Sequence, residues 1–402
     1  MRKRIYLDYA TTTPLDGAVE RAMRPFWSRT FGNPSSLHSE GVQAKQVLNA
    51  ARTKVARVLQ AHTDEIVFTG SGTEANNLAI AGLIKGMKES DPSKKLHVIT
   101  SVIEHSSVLK AVQSLEKWGV RVTYVPVDSE GIIDMKVLEK SLCPETVLVS
   151  VMYANNEIGT IQPIRKISNI LLDFAKHSGG KTAKPFFHVD ACQAPLYLDI
   201  NQNHLGADLV ALDGHKMYGP KGVGMLYVRH GTPLSSLSFG GEQERGLRSG
   251  TENVPLIVGF TEALSRAVQG REGEQRRLTV LREHFLSEIR RLIPQAILNG
   301  SVEYRLPNNV NISIPRLNAE FAVVRLDALG VACSAKSACL EGGDHRILRD
   351  PASGGGESYV VKALGRNDGS ERSSLRFTLG GDTSKRDIKE SVQRLEKVVR
   401  EQ

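Results

Sequence analysis

A lysine, Lys216, stands in the stretch DGHKMYGPKG, residues 213–222, beside a histidine and ahead of a Gly-Pro turn and a further glycine. The strand-like run LVAL leads into it. Burial and neighbouring charge lower the pKa of a lysine, and the neutral amine is a nucleophile. In this setting Lys216 reads as an amine that forms a Schiff base with an aldehyde cofactor, rather than as a solubilising surface charge.

Pyridoxal phosphate needs more than a lysine. It takes a carboxylate for its ring nitrogen, an anion cradle for its phosphate and a flat group against its ring. HVDACQA, 188–194, closes a strand with Asp190, whose carboxylate can hold the pyridine nitrogen protonated, while Gln193 can donate to the ring phenolate. TGSGTEANN, 69–77, follows a strand and opens a helix. Its glycines let backbone N–H groups approach an anion, and Thr73 adds a hydroxyl. No GK[ST] ends it, so it is not a Walker loop. EHSSV, 104–108, offers His105 as the stacking ring, and ANNEIGTIQP, 154–163, offers Asn156 to the ring oxygen or a substrate carboxylate. Singly, Asp190 reads equally as a helix cap, the glycine turn as a capped helix start and His105 as a structural histidine. Their joint placement after successive strands favours the cofactor.

Those strands must come from an α/β layered domain. EIVFTG, LHVITS, VRVTYVPV, TVLVSVMYA, PFFHVDA, LVALDG and GVGMLYV are short apolar runs alternating with helical patterns across residues 15–258. Such runs indicate parallel strands covered on both faces, with ligands at their C-terminal edge. From residue 259 amphipathic helices and a few strands take over, so residues 1–14 and 259–402 are expected to form a smaller α+β domain, with IYLDYA joining it. A glycine-rich segment, SGGGES at 353–358, marks a loop. The chain carries 52 basic and 44 acidic residues, net +8, without a long basic block, so direct nucleic-acid binding is not expected. Four scattered cysteines without a CxxC pair exclude a disulfide framework and a zinc site, and no metal is expected. Reduced thiols and the lack of a signal peptide or a long apolar run point to a cytoplasmic protein without a membrane span.

Together YLDYATTTP, FGNPSSLH, TGSGTEANNLAI, EHSSV, NNEIGTIQP, HVDACQA, GHKMYGPKG, RSGTEN and SLRFTLG keep order and spacing over nearly the whole chain. In this the sequence resembles the cysteine desulfurases, fold-type I pyridoxal-phosphate enzymes of the class-V aminotransferase type, in their iron–sulfur-assembly branch. The resemblance implies a large domain with a mixed, mostly parallel sheet and a smaller domain carrying a mobile loop, about residues 333–358. It implies that Lys216 holds the cofactor and moves the substrate Cα proton, that Asp190 and Gln193 bind the ring, and that His105 stacks on it and moves protons. Gly72, Thr73 and His215 then contact the phosphate. Thr251 reaches the phosphate of a neighbouring subunit, making a homodimer with shared sites. Arg376, Asn33 and Asn156 hold the substrate carboxylate. Cys339, in ACSAKSACLEGG, matches the cysteine that takes sulfur from L-cysteine as a persulfide, releasing L-alanine; Cys333 and Cys192 read as buried packing thiols, and Cys143 carries no signal.

Three features depart from that pattern. Asp213 stands where the family has a phosphate-binding serine, and a carboxylate there is unfavourable unless it turns away or is neutralised. The segment after Cys339 is long. The chain stops at VVREQ, where the housekeeping branch carries a tail that docks an iron–sulfur scaffold. The acceptor is therefore open between such a scaffold and a tRNA-thiolation protein. Competing readings are a selenocysteine lyase, another fold-type I aminotransferase and, in a different class, a non-catalytic sulfur-transfer docking protein.

Overall fold

The computed structural model describes residues 4–177, 183–335, 358–365 and 373–401. Cys339 and most of the expected loop therefore lie outside the described residues.

All seven apolar runs form strands of one sheet: β2 (Ile66–Thr69), β3 (His97–Ser101), β4 (Arg121–Val125), β5 (Thr146–Met152), β6 (Phe186–Asp190), β7 (Leu209–Asp213) and β8 (Gly224–Val228), preceded in the chain by the two-residue β1 (Ile5–Tyr6). The order across the sheet is β2-β8-β7-β6-β5-β3-β4. Neighbours from β7 to β4 are parallel, whereas β8 runs antiparallel to both β7 and β2. The sheet is thus mixed and mostly parallel, as expected, with β8 the one reversed strand. The connection from β7 to β8 is the short turn that carries Lys216, too short for the helical crossover a parallel neighbour needs.

Alternate side chains supply two buried layers. Phe68, Val149, Phe187, Val189, Leu212 and Met225 pack on one face, against Leu48, Val55 and Leu59 of helix α1 (Ser39–Leu59). Val67, Val98, Leu148, Ala211 and Leu226 pack on the other. There they meet helix α2 (Gly72–Asn77) and its continuation, and helix α3 (Ser106–Glu116). Cover on both faces explains why these strands read as unbroken apolar runs.

The remaining strands are β9 (Ile297–Leu298), β10 (Asn309–Ser313), β11 (Val331–Ala332) and β12 (Ser374–Thr378). They form a three-stranded sheet, β12-β10-β9, and a parallel pair, β1-β11, so the opening strand does join this part of the chain. The change of pattern at residue 259 falls inside one continuous helix, α4 (Val254–Leu292). Its first half places Ile257, Phe260 and Leu264 in the large core. Its second half places Leu278, Phe285 and Ile289 in a second core, with Val310, Phe377 and Ile388 of the C-terminal helix α5 (Lys385–Arg400). At about 1.5 Å per residue, a helix of 39 residues is long enough to serve both. No helix among the described residues is long and apolar enough to cross a membrane.

A buried histidine makes the sheet acid-sensitive. His188, in β6, is fully buried, with Nδ1 2.8 Å from Ser150 Oγ. Burial pushes its pKa down to about 4, against the opposing charge of Asp190. The unfolded chain protonates this ring near its ordinary value of about 6.5, so below that pH it binds a proton that the native state refuses. His188 therefore withdraws up to about 3 kcal/mol of stability as pH falls from about 6.5 to 4. Thermal melting against pH should show His188→Asn losing less stability than wild type over this window; parallel curves would refute the assignment.

Candidate active site

Five strands deliver chemistry to one edge of the sheet. Beyond the C-terminal end of β2 comes the glycine turn into α2, and beyond β3 come Glu104 and His105. Beyond β5 comes Asn156; β6 ends on Asp190; β7 ends on Asp213, followed by His215 and Lys216 in a short 3-10 turn. They line a cavity of about 350 Å³ that brings together Gly72, Thr73, His105, Asn156, Asp190, Gln193, His215, Lys216 and Arg376. Asn33 and Thr251 do not line it. Asn33 sits in the loop before α1, where its Oδ1 accepts from Ser35 N at 2.9 Å. Thr251 is exposed in the turn before α4.

Lys216 Nζ donates to the carbonyls of Ala10, at 2.9 Å, and Thr11, at 2.7 Å. The N-terminal segment is in turn strapped to the lysine turn. Thr13 N donates to His215 O at 3.0 Å, and Tyr218 N donates to Thr13 Oγ1 at 2.7 Å. Tyr218 itself lies in the left-handed region, φ 62°. That backbone is uncommon for a bulky residue, and the strap holds it there.

Asp190 is 7% exposed. Its Oδ1 accepts from Cys192 N at 3.0 Å, and its Oδ2 from Asn76 Nδ2 at 2.8 Å. Gln193 Nε2 donates to Ala10 O at 3.0 Å. His105 caps α3: Nδ1 accepts from Ser107 N at 3.2 Å and stands 2.8 Å from Ser107 Oγ. Burial holds its pKa below the usual imidazole value, opposed by the charge of Asp190 and reinforced by that of Lys216, so the ring stays neutral at physiological pH. With Nδ1 accepting a backbone proton, the neutral ring carries its own proton on Nε2.

Arg376, on β12, is nearly fully buried. Its Nη2 donates to Asp8 Oδ1 at 2.8 Å and Thr11 Oγ1 at 2.7 Å, and its Nη1 to Asn156 O at 3.0 Å. Its Nε has no partner among the described residues, leaving one buried donor to be satisfied.

Several contributors escaped the sequence reading. Asn76 lies four residues after Gly72, hence on the same face of α2, a spacing that could have flagged it. Asp8 and Thr11 had no local signal, because they reach Arg376 across 368 and 365 residues of chain. Glu104 is fully buried; its Oε1 accepts from Ser101 Oγ at 2.5 Å and Met152 N at 3.0 Å. Burial raises its carboxyl to about 8, so it holds a proton behind His105 at neutral pH. Cys192 corrects an expectation. It lines the cavity, 2.6 Å from where a Cβ on Gly72 would lie, instead of packing in the core. Cys333 is buried in the second core, as expected of a packing thiol.

The chain matches the family model described as aminotransferase class-V over residues 5–388. The cysteine desulfurase IscS of Dictyoglomus turgidum is 41% identical over 99% of this chain and 95% of its own. A solved structure described as a NifS-like protein aligns with a TM-score of 0.88 at 32% identity, covering 99% of this chain and 100% of that one. Another, SspA in complex with cysteine, aligns with a TM-score of 0.74 at 33% identity over 93% of this chain and 98% of that one. The chain belongs to the class-V aminotransferases and, within them, to the cysteine desulfurases.

The site geometry separates its thiols by reactivity. Burial and the charges of Asp190 and Asp213 raise Cys192 well above the ordinary thiol value. Burial raises Cys333 to about 12. A thiol kept protonated is a poor nucleophile. Brief alkylation of the folded protein at pH 8, read by peptide mass spectrometry, should leave both at least about ten-fold less modified than the same cysteines in urea. Equal labelling in the two conditions would contradict this.

Proposed function

We propose that this protein binds pyridoxal 5'-phosphate in the cavity at the sheet edge and uses it to move sulfur from L-cysteine to Cys339. The observation that carries the reading is the convergence of Lys216, Asp190 and His105 on that one cavity. The cavity fits the cofactor: it offers an amine, a buried carboxylate, a neutral ring and a glycine-lined helix start where a Cβ would collide with Cys192 and Asp213. When bound, pyridoxal phosphate supplies an aldehyde for the substrate amine and a ring that withdraws electrons from its Cα.

The protein's own groups do the rest. Lys216 would hold the aldehyde and, as a free amine, could carry the substrate Cα proton. Asp190, oriented by Asn76 and Cys192 N, keeps the ring nitrogen protonated. Gln193 donates to the ring phenolate. Thr73, Gly72 and His215 face the phosphate. His105 would lie against the ring, and because its Nδ1 accepts from Ser107 N, its Nε2 would be the atom that gives or takes a proton. Arg376, anchored by Asp8, meets the substrate carboxylate with Asn156 beside it. The Cys339 thiolate attacks the substrate sulfur, the Cβ–S bond breaks, and alanine leaves while Cys339 keeps the persulfide. In sum, L-cysteine and a thiol become L-alanine and a persulfide.

Thr251 reaches the partner subunit's phosphate across a homodimer, and Asn33 joins Arg376 and Asn156 at the substrate carboxylate. The units are a large cofactor domain, 15–258 extended by the first half of α4, and a smaller one carrying the Cys339 loop. The setting is cytoplasmic, and the persulfide passes to an acceptor protein serving iron–sulfur assembly or tRNA thiolation.

Purified protein given L-cysteine and a thiol reductant should release alanine and sulfide in equal amounts. Lys216→Ala should lose the yellow absorbance of the bound aldehyde and fall by at least about 10³-fold in rate. Cys339→Ser should keep the absorbance yet transfer no sulfur. Full-rate transfer by Cys339→Ser would sink the assignment, and alanine formed only with a keto acid or only from selenocysteine would favour the aminotransferase or lyase reading.

A further inference from the structure

Asp213 closes β7 at the mouth of the cavity, with a largely buried side chain. Its Oδ2 accepts from Gly72 N at 2.8 Å. Gly72 is the first residue of α2, so this N–H is one of the orphan donors that a helix start offers to an anion. Its Oδ1 accepts from His215 N at 3.3 Å and stands 3.5 Å from His215 Nε2. The carboxylate thus contacts both flanks of the cradle expected for a phosphate. Burial opposes its ionisation, but hydrogen bonding and charge from His215, the Gly72 N–H and the charge of Lys216 outweigh burial and hold it below the ordinary aspartate range.

We propose that Asp213 is a built-in anion of the phosphate cradle, and that it makes this protein discriminate only weakly between phosphorylated and unphosphorylated forms of the aldehyde cofactor. The inference rests on the pyridoxal-phosphate reading of the cavity. A neutral hydroxyl at this position would donate to a phosphate oxygen. An ionised carboxylate can only accept, consumes the Gly72 donor and repels a dianion. The aldehyde and ring ends are held by Lys216 and Asp190. Asp213 also acts on Lys216 through its charge, but that effect is common to both aldehydes, so the ratio of their affinities isolates the phosphate part.

The test compares pyridoxal 5'-phosphate with pyridoxal, the same aldehyde lacking the phosphate. Both are titrated by absorbance into cofactor-free wild type, Asp213→Ser and Asp213→Asn, without cysteine, with thermal melting to verify folding. The readout is the ratio of the two dissociation constants. Both variants should raise the preference for the phosphorylated form by roughly ten-fold or more, what one recovered hydrogen bond is worth before any relief of repulsion. If Asp213→Ser does not fold, the near-isosteric Asp213→Asn carries the comparison. An unchanged ratio overturns the proposal. A lowered ratio overturns it too, and would mean that Asp213 aids the phosphate. Failure of wild type and variants to bind either aldehyde would overturn the cofactor reading, and the proposal with it.

Discussion

Most groups in this site depend on strands that end together at one edge of a sheet. β2, β3, β5, β6 and β7 all point their C-terminal ends to the same side. Residues far apart in the chain, from Gly72 to Lys216, therefore share a space of about 350 Å³. The reversal of β8 follows from the same constraint. A tight turn after β7 keeps Lys216 at the edge and sends the chain straight back, so the amine cannot drift away on a crossover helix. The N-terminal segment then lies over that turn, and Ala10 and Thr11 receive the lysine.

The electrostatics are organised around paired charges. Asp190 and Lys216 face the cavity together, and Arg376 comes with Asp8, a pair with side chains 3% and 17% exposed. Removing one member of such a pair leaves a charge in a poor dielectric, costing about 3–5 kcal/mol. Asp8 pairs with the buried guanidinium of Arg376 and occupies part of its donor set. Asp213 extends the same logic to the helix start, where the chain supplies its own anion to the Gly72 N–H.

The seven strands of the sheet were legible because cover on both faces forces continuous apolar runs, and so were Lys216, Asp190 and His105, each directly after such a run. What could not be read was carried by distance or reversal. β8 is as apolar as its neighbours, so nothing in its composition reveals its direction. Asp8 and Asn76 act through contacts 368 and 114 residues away in sequence. The α4 helix hides the change from one core to the other, because its charged outer face keeps a single period while its inner face changes partners. Cys192 looked like packing since it lies between two site residues, yet that placement is what puts its sulfur on the cavity wall.

The central claim is that a substrate sulfur atom ends on Cys339 through the action of Lys216. Its most direct test is mass spectrometry of the cofactor-loaded protein after brief exposure to L-cysteine, with thiols trapped and the peptides separated. The account predicts one added sulfur atom on the peptide carrying Cys339, absent in Lys216→Ala and removed by a reductant. Added sulfur on the peptide carrying Cys192 instead, or on Cys339 undiminished in Lys216→Ala, would contradict it.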